Sequence, residues 1–127
     1  METRKLLQEV LLYIEENVTH KLTIEEIAHH VYLSPVHLQR IFSFVFDIPL
    51  AEYVRSRKMQ KALTMLYESD DKISDIAYNI GFCHESSFIR SFKREFGVTP
   101  SEVRKHAPIL ESKPPLTVPA GSQNKCS

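Results

Sequence analysis

Residues 71–100 read DKISDIAYNIGFCHESSFIRSFKREFGVTP, a pattern of short helix, tight turn at Gly81 and longer helix ended by Gly97. In the first helix Ile73, Ile76, Ala77 and Ile80 recur at i, i+3, i+4 and i+7, one apolar face. In the second, Phe88, Phe92 and Phe96 lie four apart on one side. Glu85, Ser86, Ile89, Arg90, Lys93 and Arg94 occupy the other side. A helix that buries a Phe stripe and shows a polar, basic row suits a groove-reading helix. Taken alone, the stretch fits an ordinary helical hairpin in an all-α core better, since two-helix patterns are common.

An echo earlier in the chain separates the two readings. Ile27-Ala28 matches Ile76-Ala77 at an offset of 49, and Leu38, Arg40, Phe42, Phe46 and Ile48 match Phe88, Arg90, Phe92, Phe96 and Val98 at an offset of 50. One extra turn residue accounts for the change. A repeated unit is a repeated structural solution. The pattern therefore predicts two helix-turn-helix units, at about 23–46 and about 71–97, joined by a linker helix at about 50–67. At ~1.5 Å per residue that linker is roughly 26 Å long. Successive major grooves of B-DNA are ~34 Å apart, so one chain could present two reading helices without a dimer.

The other segments fit an all-α plan of seven helices. Leu7, Val10, Leu11, Ile14 and Val18 form the stripe of a first helix. Thr23 with Glu26 makes a capping-box pattern for the second, and Ser34-Pro35 is an N-cap with Pro at the first position of the third. Leu38, Ile41, Phe42 and Phe46 are expected to point inward there. Thr99-Pro100-Ser101-Glu102 repeats the capping-box pattern for a short last helix, which Pro108 stops. The expected domain is 1–107. Residues 108–127, with Lys113-Pro-Pro-Leu116, have no period and read as a flexible tail or linker.

Composition sets limits. The chain has 127 residues, 43% of them hydrophobic, with three glycines and no Trp, which argues for one helical domain rather than a β fold. No apolar run approaches the ~18 residues of a membrane span, and the N-terminus lacks a signal-peptide pattern. Cys83 and Cys126 have neither metal-site nor disulfide-framework spacing, as expected for a cytoplasmic protein. No two of the six histidines sit at i, i+3 or i, i+4, so no metal is expected. No nucleophile arrangement or phosphate loop is visible, so neither catalytic residues nor a cofactor are expected. Net charge is zero, unusual for a nucleic-acid binder, but charge is segregated. Residues 51–66 carry four basic residues against one acidic, and residues 81–106 five against three.

Many spaced positions carry a family resemblance. Ile76-Ala77, Gly81-Phe82, Phe88-x-Arg90-x-Phe92-Lys93, Phe96-Gly97, Pro100 and Arg104 resemble the signature of AraC/XylS-family transcriptional regulators. Ile27-Ala28, Leu33-Ser34-Pro35, Leu38-x-Arg40-x-Phe42 and the linker Tyr53-Val54-x-x-Arg57-Lys58-x-x-x-Ala62 match the same family over roughly residues 5–106. The length is similar to stand-alone members, which lack a sensor domain and bind DNA as monomers. The resemblance implies a bacterial transcription factor, commonly an activator, with double-stranded DNA and RNA polymerase as partners. It implies base-reading roles for Val36, His37, Gln39 and Arg40 in the first unit and for Glu85, Ser86, Ser87, Ile89 and Arg90 in the second. Gln can pair bidentately with adenine and Arg with guanine. Ser34, Ser43, Arg55, Lys93 and Arg94 suit phosphate contacts. For Arg57, Lys58 and Lys61 a solvated helix face is an equal expectation, and for Arg90 the competing role is an ion pair with Asp75 or Glu85.

The chain departs from the family pattern at four places. Val36 stands where close relatives usually have Trp. Ser43-Phe44-Val45 replaces basic or polar residues, leaving Arg40 as the first reading helix's one cation. Tyr32 fills a turn position that often holds Gly. His84 replaces the usual Ser or Asp cap of the second reading helix. The second unit is therefore expected to carry more of the affinity. Phe44 is expected either to form a partner surface or to fold onto the linker helix. Two other readings of the whole remain: a helical protein-interaction module or anti-regulator with little DNA affinity, and the DNA-binding piece of a longer ligand-responsive regulator.

Overall fold

Seven helices form in the computed structural model, which describes residues 2–108 and 110–119. They are α1 (Thr3–Glu16), α2 (Ile24–His30), α3 (Pro35–Phe46), α4 (Leu50–Glu68), α5 (Ile73–Asn79), α6 (Glu85–Phe96) and α7 (Pro100–His106). No strand occurs among the described residues. The caps follow local chemistry. Thr23 Oγ1 accepts from the Glu26 amide, and Ser34 Oγ from the His37 amide. Thr99 and Glu102 make the full reciprocal capping box. The Thr23 box is only half made, since no bond from Glu26 back to the Thr23 amide forms.

Two cores share one helix. Leu7, Val10, Ile14, Ile27, Leu38 and Phe42 centre the first, and α4 adds Leu50, Tyr53 and Val54 to it. Ile76, Ile80, Phe88, Phe92 and Val103 centre the second, and α4 adds Met59, Ala62, Leu63 and Leu66. The N-terminal half of α4 thus serves one unit and the C-terminal half the other. With 19 residues, α4 is about 28 Å long. Ile41 and Phe46 are only half-buried, at the edge of the first core.

The repeat extends to the backbone. The Leu33 amide bonds the Ala28 carbonyl and the Phe82 amide the Ala77 carbonyl; Tyr32 N–H bonds His29 O as Gly81 N–H bonds Tyr78 O. Phe42–Phe46 and Phe92–Phe96 ring centroids are both 4.7 Å apart. Asp47 and Gly97 end the two longer helices with φ of 58° and 79°. Tyr32, at φ 60°, stands where Gly81 has φ 91°. The left-handed region costs an L-residue roughly 1–2 kcal/mol, and Asn visits it readily. Tyr32 is 88% exposed, so its ring repays little of that cost by burial. Tyr32→Asn is expected to stabilise the protein by about 0.5–1 kcal/mol. A urea midpoint that falls instead would show that the ring makes contacts in solution.

The segment after α7 differs from the expected free tail. Residues 110–119 form a strap along α4. Leu110 packs on the second core, and Leu116 and Val118 on the first. Arg57 donates to the Lys113 carbonyl at 2.7 Å, the Lys113 amide donates to Gln60 Oε1 at 3.1 Å, and the Leu116 amide to the Tyr53 hydroxyl at 3.1 Å. Three apolar residues without a period suffice here because α4 side chains satisfy backbone groups that a helix or sheet would otherwise pair. Ile109 and residues 120–127, Cys126 included, lie outside the described residues.

Candidate nucleic-acid interface

Each longer helix turns its Phe stripe inward and leaves a solvent face. Leu38 and Phe42 are fully buried on α3, and Phe88 and Phe92 on α6. On α3 that leaves Val36, His37, Gln39, Arg40, Ser43 and Phe44 exposed, with Ser34 exposed as the cap. Phe44 is 83% exposed, so it does not fold onto the linker helix. On α6, Glu85, Ser86, Arg90, Lys93 and Arg94 are exposed.

Four expected positions are placed differently. Ile89 is half-buried and packs against the second core, because position 89 lies at the edge of the Phe stripe. Ser87 is half-buried, with its hydroxyl 3.4 Å from an Arg90 nitrogen. Arg55, expected on phosphate, is engaged inside the protein. Its guanidinium bonds Glu52 at 3.2 Å, Glu95 at 2.8 Å and the Ser91 carbonyl at 3.3 Å. The physical reason is Glu95, whose side chain is 6% exposed and needs a counter-charge. Burial alone would raise the Glu95 carboxyl, but hydrogen bonds from Ser56 and Arg55 outweigh it and hold the group below its ordinary value. Arg94 remains 61% exposed but pairs with Glu52 at 2.6 Å, so part of its charge is already matched.

Arg90 makes neither of the ion pairs weighed for it. Among the described residues no carboxylate pairs with Arg40, Arg90 or Lys93. These three cations, with Arg94, are the charge available to an anionic partner on the two faces. His84, at the N-cap of α6, makes no side-chain capping bond, leaving the first amides of that helix available to another acceptor.

The remaining linker cations are not a solvated face. Arg57 pairs with Glu15 of α1, and Lys58 is buried. Only Lys61 of that group is exposed. Sequence spacing could not find these partners, because they lie across the fold. Arg104 likewise bonds the Ser69 and Asp71 carbonyls, fixing α7 to the start of the second unit. No cluster of His, Cys, Asp and Glu able to hold a metal occurs among the described residues. No helix there is long and apolar enough to cross a membrane.

The helix-turn-helix domain family matches residues 27–106. Over 99 residues the chain is 35% identical to the HTH-type transcriptional activator AarP of Providencia stuartii, covering 78% of this chain and 73% of that protein. Over 104 residues it is 33% identical to the regulatory protein SoxS of Escherichia coli K12, covering 82% and 97%. Among solved structures, the C-terminal domain of AraT, a response regulator from Geobacillus stearothermophilus, superposes with a TM-score of 0.78 at 25% identity, covering 90% of this chain and 95% of that one.

Proposed function

Since the chain belongs to the AraC/XylS family of helix-turn-helix regulators, and so is a DNA-binding transcriptional regulator of activator type, we propose that it works as a monomer that reads two successive major-groove segments. One observation carries the reading. The two units have the same turn hydrogen bonds, and each holds an arginine, Arg40 or Arg90, at the same place on an exposed helix face. Such an arginine can pair bidentately with guanine. Val36, His37 and Gln39 extend the first base-reading face, and Glu85, Ser86 and Ser87 the second. Ile89 offers only its half-exposed edge. Ser34, Ser43, Lys93 and Arg94 take phosphate contacts, whereas Arg55 braces the helix that carries two of them. AarP is named an activator, and recruitment of RNA polymerase in the bacterial cytoplasm completes the proposal. Phe44, fully outside the core and beside Arg40, is a candidate contact surface for such a partner.

The test is selection of an operator from random duplexes, followed by a salt titration of binding. With two phosphate cations engaged, Lys93 and Arg94, log K should fall with log salt with a slope of roughly −2, at one chain per duplex. No binding at low salt would overturn the reading and favour the protein-interaction module that zero net charge permits. A ratio of two chains per operator would overturn the monomer.

A further inference from the structure

Lys58 sits at the middle of α4, between the residues that serve the first core and those that serve the second. It is 8% exposed, buried together with Gln60. A lysine ammonium has three N–H donors and no acceptor. All three find carbonyls. Two belong to the α1–α2 connection of the first unit, Val18 at 3.0 Å and His20; the third is Ile80 of the second unit's turn, at 2.8 Å. The next residue, Gly81, lets this turn approach the same connection: a Cβ built there would stand 2.9 Å from the His20 oxygen and from Lys21 N and Cα. Neighbouring α4 side chains grip in sequence. Arg55 and Ser56 hold Glu95 of α6, and Arg57 holds Glu15 of α1.

A straight linker helix by itself sets the distance between two units but not their roll about its axis. Packing on α4 sets which side of the helix each unit covers, and contacts between the units tighten that roll. The Lys58 ammonium is such a contact, and it is directional, because three carbonyls must converge on one nitrogen. We infer that Lys58 is a positioning residue that locks the relative orientation of the two reading helices, and so sets the half-site spacing the protein accepts. The inference rests on the two-groove reading above. Two linked binding modules gain affinity only while geometry lets both engage, and the gain can reach about 10²-fold or more. A loosened junction should therefore leave each half-site contact intact and lose the gain from joining them.

The experiment uses the full chain and the selected operator. Binding of wild type, Lys58→Met and Lys58→Gln is measured on three duplex types: the operator, versions with one base pair added or removed between the half-sites, and versions with one half scrambled. Lys58→Met keeps the side chain's length without its donors; Lys58→Gln keeps a shorter donor, and decides the matter if the Met variant does not fold. The expected result is a loss of about tenfold or more on the intact operator, half-site binding within about twofold of wild type, and a flattened dependence on spacing. Equal losses on intact and scrambled duplexes would reduce Lys58 to general support and overturn the inference, as would a variant with wild-type affinity and spacing preference. A wild type indifferent to spacing would bring down the two-groove reading and this role with it. That outcome is distinguishable, because it is seen before any variant is made.

Discussion

Gly81→Ala is expected to destabilise the protein by roughly 2–5 kcal/mol, with the urea midpoint falling and the slope of the transition unchanged. Two costs add. The residue has φ 91°, a region that costs a side chain about 1–2 kcal/mol. The new methyl would also meet backbone atoms of His20 and Lys21 at 2.9 Å. Backbone cannot step aside as the tip of a flexible side chain can, so the second unit's turn must back away from the first unit, at an overpacking cost of about 1–3 kcal/mol. Gly97→Ala is the internal control. Gly97 has φ 79°, but a methyl there meets nothing within 4 Å, so only the backbone cost of about 1–2 kcal/mol applies. The difference between the two alanines isolates the contact between the units. Equal losses would mean that this contact is loose in solution. The position tolerates a side chain where nothing crowds it: Tyr32 occupies the matching place in the first unit at φ 60°.

Arg90→Ala is expected to weaken operator binding by about 1–3 kcal/mol and to relax the preference at one base position. Arg40→Ala, at the same salt on the same operator, should cost less. The faces explain the asymmetry. Around Arg90, α6 exposes Lys93 and Arg94, while α3 has Ser43 and Phe44 in the matching places. The Glu52 pair on Arg94 narrows the margin without closing it, since no carboxylate pairs with Lys93 among the described residues. A salt titration separates the roles: Arg90→Ala should leave the salt slope nearly unchanged, whereas Lys93→Ala should reduce it by about one. A loss at Arg40 equal to or above that at Arg90 would refute the stronger second unit. The exposed Glu85 sets the limit on that unit, since a carboxylate does not favour a phosphate at the start of α6.

Much of the architecture was legible from residues a few positions apart. Helix periods, the Ser34-Pro35 cap, the Thr99–Glu102 box and the glycine ends are local chemistry, so the repeat of two units and the linker helix could be read from spacing. The exposed reading faces followed from the Phe stripes, because the stripe fixes which side is buried. Ile89 and Ser87 were the exceptions: they stand at the stripe's margins, where a small rotation of α6 decides burial.

The charged residues of α4 were not legible in that way. Arg55, Arg57, Lys58 and Lys61 are four cations on one helix, and nothing local distinguishes them. For Arg55, Arg57 and Lys58 the deciding partners lie far along the chain. Lys58 bonds carbonyls 40, 38 and 22 residues away, and Arg55 meets Glu95 across 40. The strap of residues 110–119 escaped for the same reason, as its order comes from Tyr53, Arg57 and Gln60 rather than from any period of its own. Local pattern therefore settled which helices form and which family they compose. The packed fold settled which cations lack a carboxylate partner among the described residues and which are engaged across the fold, because a charge is buried only where distant groups converge to pair it. Gly81 belongs to both levels: its turn could be foreseen from sequence, while the reason no side chain fits there is the first unit's backbone pressed against it.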